Sequence, residues 1–305
     1  MKSLSKYLLE SLEAVAPVFE MAKDKDSIIK QLSANTDLGG YVDYLNKMLD
    51  DPDAKSILLN AFLNAEEDSY EFSGKMINIP VSKLHPTQSE IDVDKSLGFP
   101  FKSEKAANMS MDNFFSGSTV KMPFPLITFD GKFIVDGHHR WSQVYSFNPD
   151  AKMECFDLKV KSGGKIDEQD MLKIVQGLLA AKRAEDGKGA IPRSTVEGAN
   201  LFKMSEKEVK DTIVRYCDKD AKVAEIIMNA AECNGAEELA DYLCGNLMKL
   251  RADNMTYARK GNNRGVMPQT DRGGDDPDDM GTAKPDKKGS ALNKLVNAKV
   301  DKKVV

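Results

Sequence analysis

Five consecutive residues, Asp136-Gly137-His138-His139-Arg140, bring together the side-chain types that phosphate chemistry uses. Arg140 offers a planar guanidinium fork that matches phosphate oxygens. His138 and His139 can add hydrogen-bond donors, and Gly137 lets a bound group approach the backbone closely. Asp136 suits a Mg²⁺ contact or the orientation of a histidine. A second acid in reach would supply a general base or another metal contact, and Glu90 is the candidate. All three histidines of the chain (His85, His138, His139) and its one tryptophan, Trp141, lie in or near this stretch.

Each of these residues also has a plainer use. Asp136 suits a helix N-cap as well as it suits chemistry. Trp141 reads as core, and His85 before Pro86 as a loop residue. On a helix, adjacent side chains such as His138 and His139 diverge by about 100°, which is unfavourable for holding one ion. The HExxH spacing is absent, and the four cysteines (Cys155, Cys217, Cys233, Cys244) form no CxxC pair. They read as reduced, mostly buried thiols, so no zinc centre is expected. With neither a nucleophile elbow nor a Walker-type glycine run, the stretch describes a phosphate site better than an acyl-transfer one.

The elements that must position it are legible. Leu126 to Phe129 and Lys132 to Val135 are short β-prone runs, joined by Asp130-Gly131, a two-residue hairpin signal. The second strand runs straight into the glycine turn, and helical spacing begins at Trp141, Val144 and Tyr145. A helix that starts this way leaves its first N–H groups facing outward, which suits an anion. Upstream, Ile77, Ile79 and Val81 alternate as a strand and lead into the polar loop Thr87-Gln88-Ser89-Glu90. A helix is expected near 104–115, and Met153 to Val160 reads as a closing strand.

Around this unit the chain is helical. Residues 1–72 carry three apolar stripes: Leu4, Leu8, Leu12 and Val15; Tyr41, Tyr44, Leu45, Met48 and Leu49; and Ile57, Leu58, Ala61, Phe62 and Ala65. Asp167 can cap a helix facing Met171, Ile174, Val175, Leu178 and Leu179 inward, which completes a domain spanning 73–185. Residues 186–200 read as a linker. Residues 201–257 read as a small domain of three helices, the first opened by the capping box Ser205-x-x-Glu208. From 258 to 305 the composition turns to Gly, Asp, Lys, Asn and Pro and predicts a disordered tail, with helical turns near Leu292, Leu295 and Val296.

The 305 residues carry a net charge of −5, unevenly spread. From Thr256 onward there are 11 Lys+Arg against 7 Asp+Glu, so the rest of the chain is acidic. That balance argues against a DNA-binding surface over the whole body, and 75–162 is near neutral with 11 basic and 10 acidic residues. No apolar run approaches the roughly 18–20 residues of a membrane span. The first helix, with Glu10 and Glu13, is amphipathic rather than a signal peptide. A cytoplasmic protein with no membrane partner is expected.

The string Phe133 to Trp141 resembles the signature turn of the ParB/sulfiredoxin superfamily, in which a strand ends in a glycine-to-arginine turn and the helix start holds nucleotide phosphates. Thr87-Gln88-Ser89-Glu90 is similar to the loop after the first strand of that family. The DGHHR form is closest to the free serine kinase branch and to phage or plasmid proteins labelled ParB-like nuclease, and helical additions on a short chain suit a bacteriophage protein. The likeness spans about 75–162. It implies an α+β fold: a small mixed sheet with helices, flanked by an N-terminal helical region and a C-terminal helical bundle.

It further implies a nucleotide (ATP, ADP or CTP) bound with Mg²⁺, and hydrolysis or transfer of phosphate by an NTPase, kinase-like enzyme or nuclease. Glu90, Asp136 and His138 would be catalytic, and Asp136 and Glu90 would hold the metal. Thr87, Gln88, Gly137, His138, His139 and Arg140 would bind phosphate. The alternative is a non-catalytic nucleotide- or DNA-binding module, with a protein partner engaged through the helical flanks or tail. Sulfinic-acid reduction is not expected, because His138 stands where sulfiredoxin needs cysteine. Neither the further arginine motifs nor the helix-turn-helix of the partition proteins is found.

Overall fold

The computed structural model describes residues 24–63, 68–194, 198–268, 285 and 287–305. The stripe at Leu4 to Val15 and the acidic run at 275–279 lie outside them. The described residues form an α+β fold with a mixed six-stranded sheet in the order β2-β4-β3-β5-β1-β6. Its strands are β1 (Ser69–Pro80), β2 (His85–Pro86), β3 (Leu126–Phe129), β4 (Phe133–Asp136), β5 (Lys152–Ser162) and β6 (Lys299–Asp301).

Helices cover both faces, because successive strand residues point to opposite sides. Ile127, Val135 and Phe156 join a core with α1 (Lys25–Ala34), α2 (Leu38–Asp50), α3 (Pro52–Leu63), α7 (Glu168–Glu185) and α11 (Ala291–Asn297). Their neighbours Leu126, Ile134 and Cys155 join the other core. There they meet α4 (Val93–Gly98), α5 (Glu104–Phe114), α6 (His138–Phe147), α8 (Glu206–Lys219), α9 (Ala221–Ala230) and α10 (Ala236–Lys260).

The sheet is built on the long antiparallel β1–β5 ladder, from Glu71 opposite Ser162 to Pro80 opposite Lys152. β3 runs parallel to β5, and β4 returns antiparallel to β3 through the expected hairpin. Asp130 and Gly131 take φ of 55° and 64°, the two positive values of a primed turn. The turn is anchored from beneath by Asp157 on β5, which is 1% exposed. Its Oδ1 accepts from Thr128 Oγ1 at 2.9 Å and from Gly131 N–H at 2.6 Å. The β1 strand starts earlier than the alternation suggests, and Val81 falls in a 3-10 turn after it.

The helical flanks form where periodicity places them. Ser205 and Glu208 make the reciprocal capping box of α8, and Asp167 accepts from two N–H groups at the start of α7. The helices of 201–257 do not bury their apolar faces only on one another. Val209, Ile213, Leu243, Leu247 and Leu250 share a core with Trp141, Val144 and Ile134.

Two stretches expected to be unstructured are built into the fold. In 186–200, Ile191 is buried and donates its N–H to Asn46 Oδ1 at 2.7 Å, and Ile91 N–H donates to Asn200 Oδ1 at 3.2 Å. The tail is corrected at both ends. Residues 261–268 run along the loop after β2, where Asn262 pairs with Gln88, and 287–305 supply α11 and β6, which pairs with β1 through Tyr70 opposite Val300. A polar composition misleads here because few residues make the anchoring. Leu292, Leu295, Val300 and Val304 are each no more than 1% exposed, and Tyr41 donates its hydroxyl to Val304 C=O at 2.8 Å.

Candidate phosphate site

The turn after β4 is shaped by Gly137, which has φ of 100° and precedes the first helical residue of α6. A Cβ there would lie 2.5 Å from Leu126 Cδ2 and 2.7 Å from an Arg140 nitrogen, so only glycine fits. The first intrahelical bond runs from Trp141 N–H to Gly137 C=O at 3.0 Å. The N–H groups of His138, His139 and Arg140 therefore lead the helix, at its partly positive end. Asp136 does not cap the helix. Its Oδ2 instead accepts from Arg140, one turn on, at 2.9 Å, and the same guanidinium nitrogen reaches Pro125 C=O at 3.2 Å.

A polar cavity of about 230 Å³ opens at this helix start. Asp136, Gly137, His138, His139 and Arg140 form one wall, with Gln88 from the preceding loop. Lys95 of α4 and, from the segment 261–268, Arg264, Met267 and Pro268 complete it. Lys95 Nζ is 4.0 Å from Asp92, and Arg264 is only 7% exposed. Arg140, Arg264 and Lys95 thus line the cavity with the Asp136 carboxylate, which is paired with Arg140, while the Asp92 carboxylate lies beside Lys95.

The histidines act differently from the expectation. His138 is buried, and its Nε2 accepts from Thr87 N–H at 3.1 Å. Burial, and then the charges of His139, Arg264 and Arg140, hold its pKa well below the ordinary histidine range, so it is neutral. His139 Nε2 accepts from Asp92 N–H at 3.1 Å. Both imidazoles therefore pin the 87–92 loop to the turn through Nε2, which accepts here. Thr87 is also occupied internally, its hydroxyl donating to Ile134 C=O at 2.5 Å.

Glu90 is not among the cavity walls. Its Oε2 accepts from Arg264 N–H at 2.9 Å, so it fastens the segment 261–268 to the loop. Asn262 strengthens that seam, donating to Thr87 C=O and accepting from Ser89 N–H. Gln88 lines the cavity and donates its amide to Glu90 C=O. Trp141 keeps its plainer role in the core, whereas His85 sits in strand β2, opposite Phe133, and not in a loop. His85 bonds Asn254 at 2.8 Å and stacks on Tyr257, and fully buried Trp141 donates to Val81 C=O at 2.9 Å.

Arg264 and Lys95 are the site residues that the reading by motif missed. Lys95 sits beyond the TQSE loop, and Arg264 is 124 positions from Arg140 in a Gly- and Asn-rich run. The available signal was the Val266-Met267-Pro268 sequence just after it, an apolar step in a polar segment. Val266 and Met267 are buried, and Val266 C=O receives the amide of Gln176 on α7.

Among the described residues, no three His, Cys, Asp or Glu side chains are grouped to hold a metal ion. Asp136 is engaged by Arg140, and Glu90 by the Arg264 N–H. No helix among the described residues is long and apolar enough to cross a membrane. No family model, no curated protein and no solved structure matches this chain.

Proposed function

We propose that the chain binds the phosphate groups of a nucleotide at the start of α6. One observation carries the reading: a small polar cavity lined by a helix N-terminus, Arg140, Arg264 and Lys95, whose carboxylate in the wall, Asp136, is already paired with Arg140. Oriented N–H groups and guanidinium forks are the two devices that hold phosphate most effectively. The resemblance of the DGHHR turn to the ParB/sulfiredoxin superfamily supports the same ligand.

Phosphoryl transfer is the second reading, favoured by the placement of the Asp136 carboxylate in the cavity wall. Arg140 and Arg264 would then stabilise charge on the transferred oxygens. His138, neutral and accepting a backbone hydrogen bond, serves as a positioning residue.

The test is titration of the purified protein with ATP, ADP, CTP and inorganic triphosphate, with and without Mg²⁺, following thermal stability and phosphate release. Binding should raise the melting temperature of the wild type. Arg140→Ala and Arg264→Ala should each weaken binding roughly ten- to a hundredfold, the loss of a charge-assisted hydrogen bond worth about 1.5–3 kcal/mol. Failure of every one of these ligands to stabilise the wild type would overturn the reading. Phosphate release abolished in Asp136→Asn, with binding retained, would establish transfer over binding alone.

A further inference from the structure

A larger apolar cavity of about 530 Å³ shares Arg140 with the phosphate cavity. Phe99, Met109, Phe114, Met122 and Phe124 line it, and Phe99, Met109 and Phe124 are 43%, 53% and 40% exposed. At its wall sits Gln143, on α6 one turn beyond Arg140 and only 5% exposed. The Gln143 Nε2 is buried without a hydrogen-bond partner. A buried, unsatisfied amide costs free energy, and native proteins seldom carry one without a use. Asn113 on the same wall is satisfied, bonding both the N–H and the C=O of Lys121.

We infer that this cavity receives the base of the nucleotide whose phosphates lie at the DGHHR turn. The inference rests on the phosphate reading and extends it. A flat heterocycle presents its faces to the Phe and Met side chains and an acceptor on its edge to the Gln143 amide. An aliphatic chain would fill the same volume but leave that donor unsatisfied. Arg140 lines both cavities, so one ligand with an anionic end and an aromatic end can engage the two.

The experiment compares calorimetric affinities of inorganic triphosphate, the four ribonucleoside triphosphates and a medium-chain alkyl phosphate. It uses the full chain as wild type, Gln143→Leu and Met109→Trp. Gln143→Leu keeps the volume and removes the amide, whereas Met109→Trp fills the groove from its exposed rim and spares the core. At least one nucleotide should bind the wild type tenfold or more tightly than inorganic triphosphate. Both variants should erase that advantage while keeping the affinity for inorganic triphosphate.

Nucleotides no tighter than triphosphate would overturn the base site and leave the phosphate site standing. An advantage that survives both variants would place the base elsewhere and overturn it too. An alkyl phosphate preferred over every nucleotide would make the groove a chain-binding site. If inorganic triphosphate and nucleotides all fail to bind, both readings fall together.

Discussion

At the scale of single residues, His138 shows how a motif histidine can hold a candidate site together from inside the protein. Its imidazole is buried and holds the loop before the site through the Thr87 N–H. Because burial lowers its pKa in the fold, the folded protein keeps it neutral while the unfolded chain takes up a proton near pH ~6.5. The unfolded state therefore binds more protons at acid pH. Stability is unaffected above that pH and falls as pH drops below it, until the folded pKa is reached, by up to about 1.4 kcal/mol per pH unit. Urea denaturation at several pH values should show this decline. His138→Gln, whose amide oxygen can still accept from Thr87, should flatten it by about one proton. An unchanged slope would mean that His138 is not the group responsible. A shallower slope should remain from His85, whose pKa burial also lowers against the opposing hydrogen bond from Asn254.

At the scale of elements, the β3–β4 hairpin and its turn into α6 form the unit that was most legible in advance. Asp130-Gly131 and Gly137 are local requirements: positive φ and close approach are properties of the backbone that composition announces. Gly137→Ala should accordingly be severe. An alanine would take up a left-handed conformation worth about 1–3 kcal/mol and would also collide with Leu126 and Arg140. The expected outcome is a clear fall in the denaturation midpoint together with lost nucleotide binding. A variant as stable as the wild type would show that the turn tolerates a side chain. The role of Glu90 was less legible. Its spacing from the turn suited an acid beside the phosphate, but whether a carboxylate faces a cavity or a backbone N–H depends on what lies across from it. Here that is Arg264, which no local pattern connects to the loop.

At the scale of the whole molecule, the C-terminal residues complete the layer opposite the site rather than trailing from it. Leu295 is fully buried against the N-terminal helices and the sheet. Leu295→Ala should cost about 2–5 kcal/mol in urea denaturation, the range for a large-to-small change in a core. A change within about 0.5 kcal/mol would be the mark of a solvated appendage. The segment 261–268 has the same character, entering the site at Arg264 and the core at Val266 and Met267.

The sequence by itself determined much of the local structure: the hairpin, the glycine turn, the Ser205 capping box and amphipathic helices in both flanks. Each of these follows from interactions within a few residues, where spacing translates directly into geometry. Only the tertiary structure decided that Arg264 and Lys95 join Arg140 and that both motif histidines hold the 87–92 loop. It also decided that the helices after 201 and the last nineteen residues, 287–305, share cores with the sheet. Those outcomes depend on contacts between distant positions, in which a few buried apolar side chains outweigh the polar composition around them.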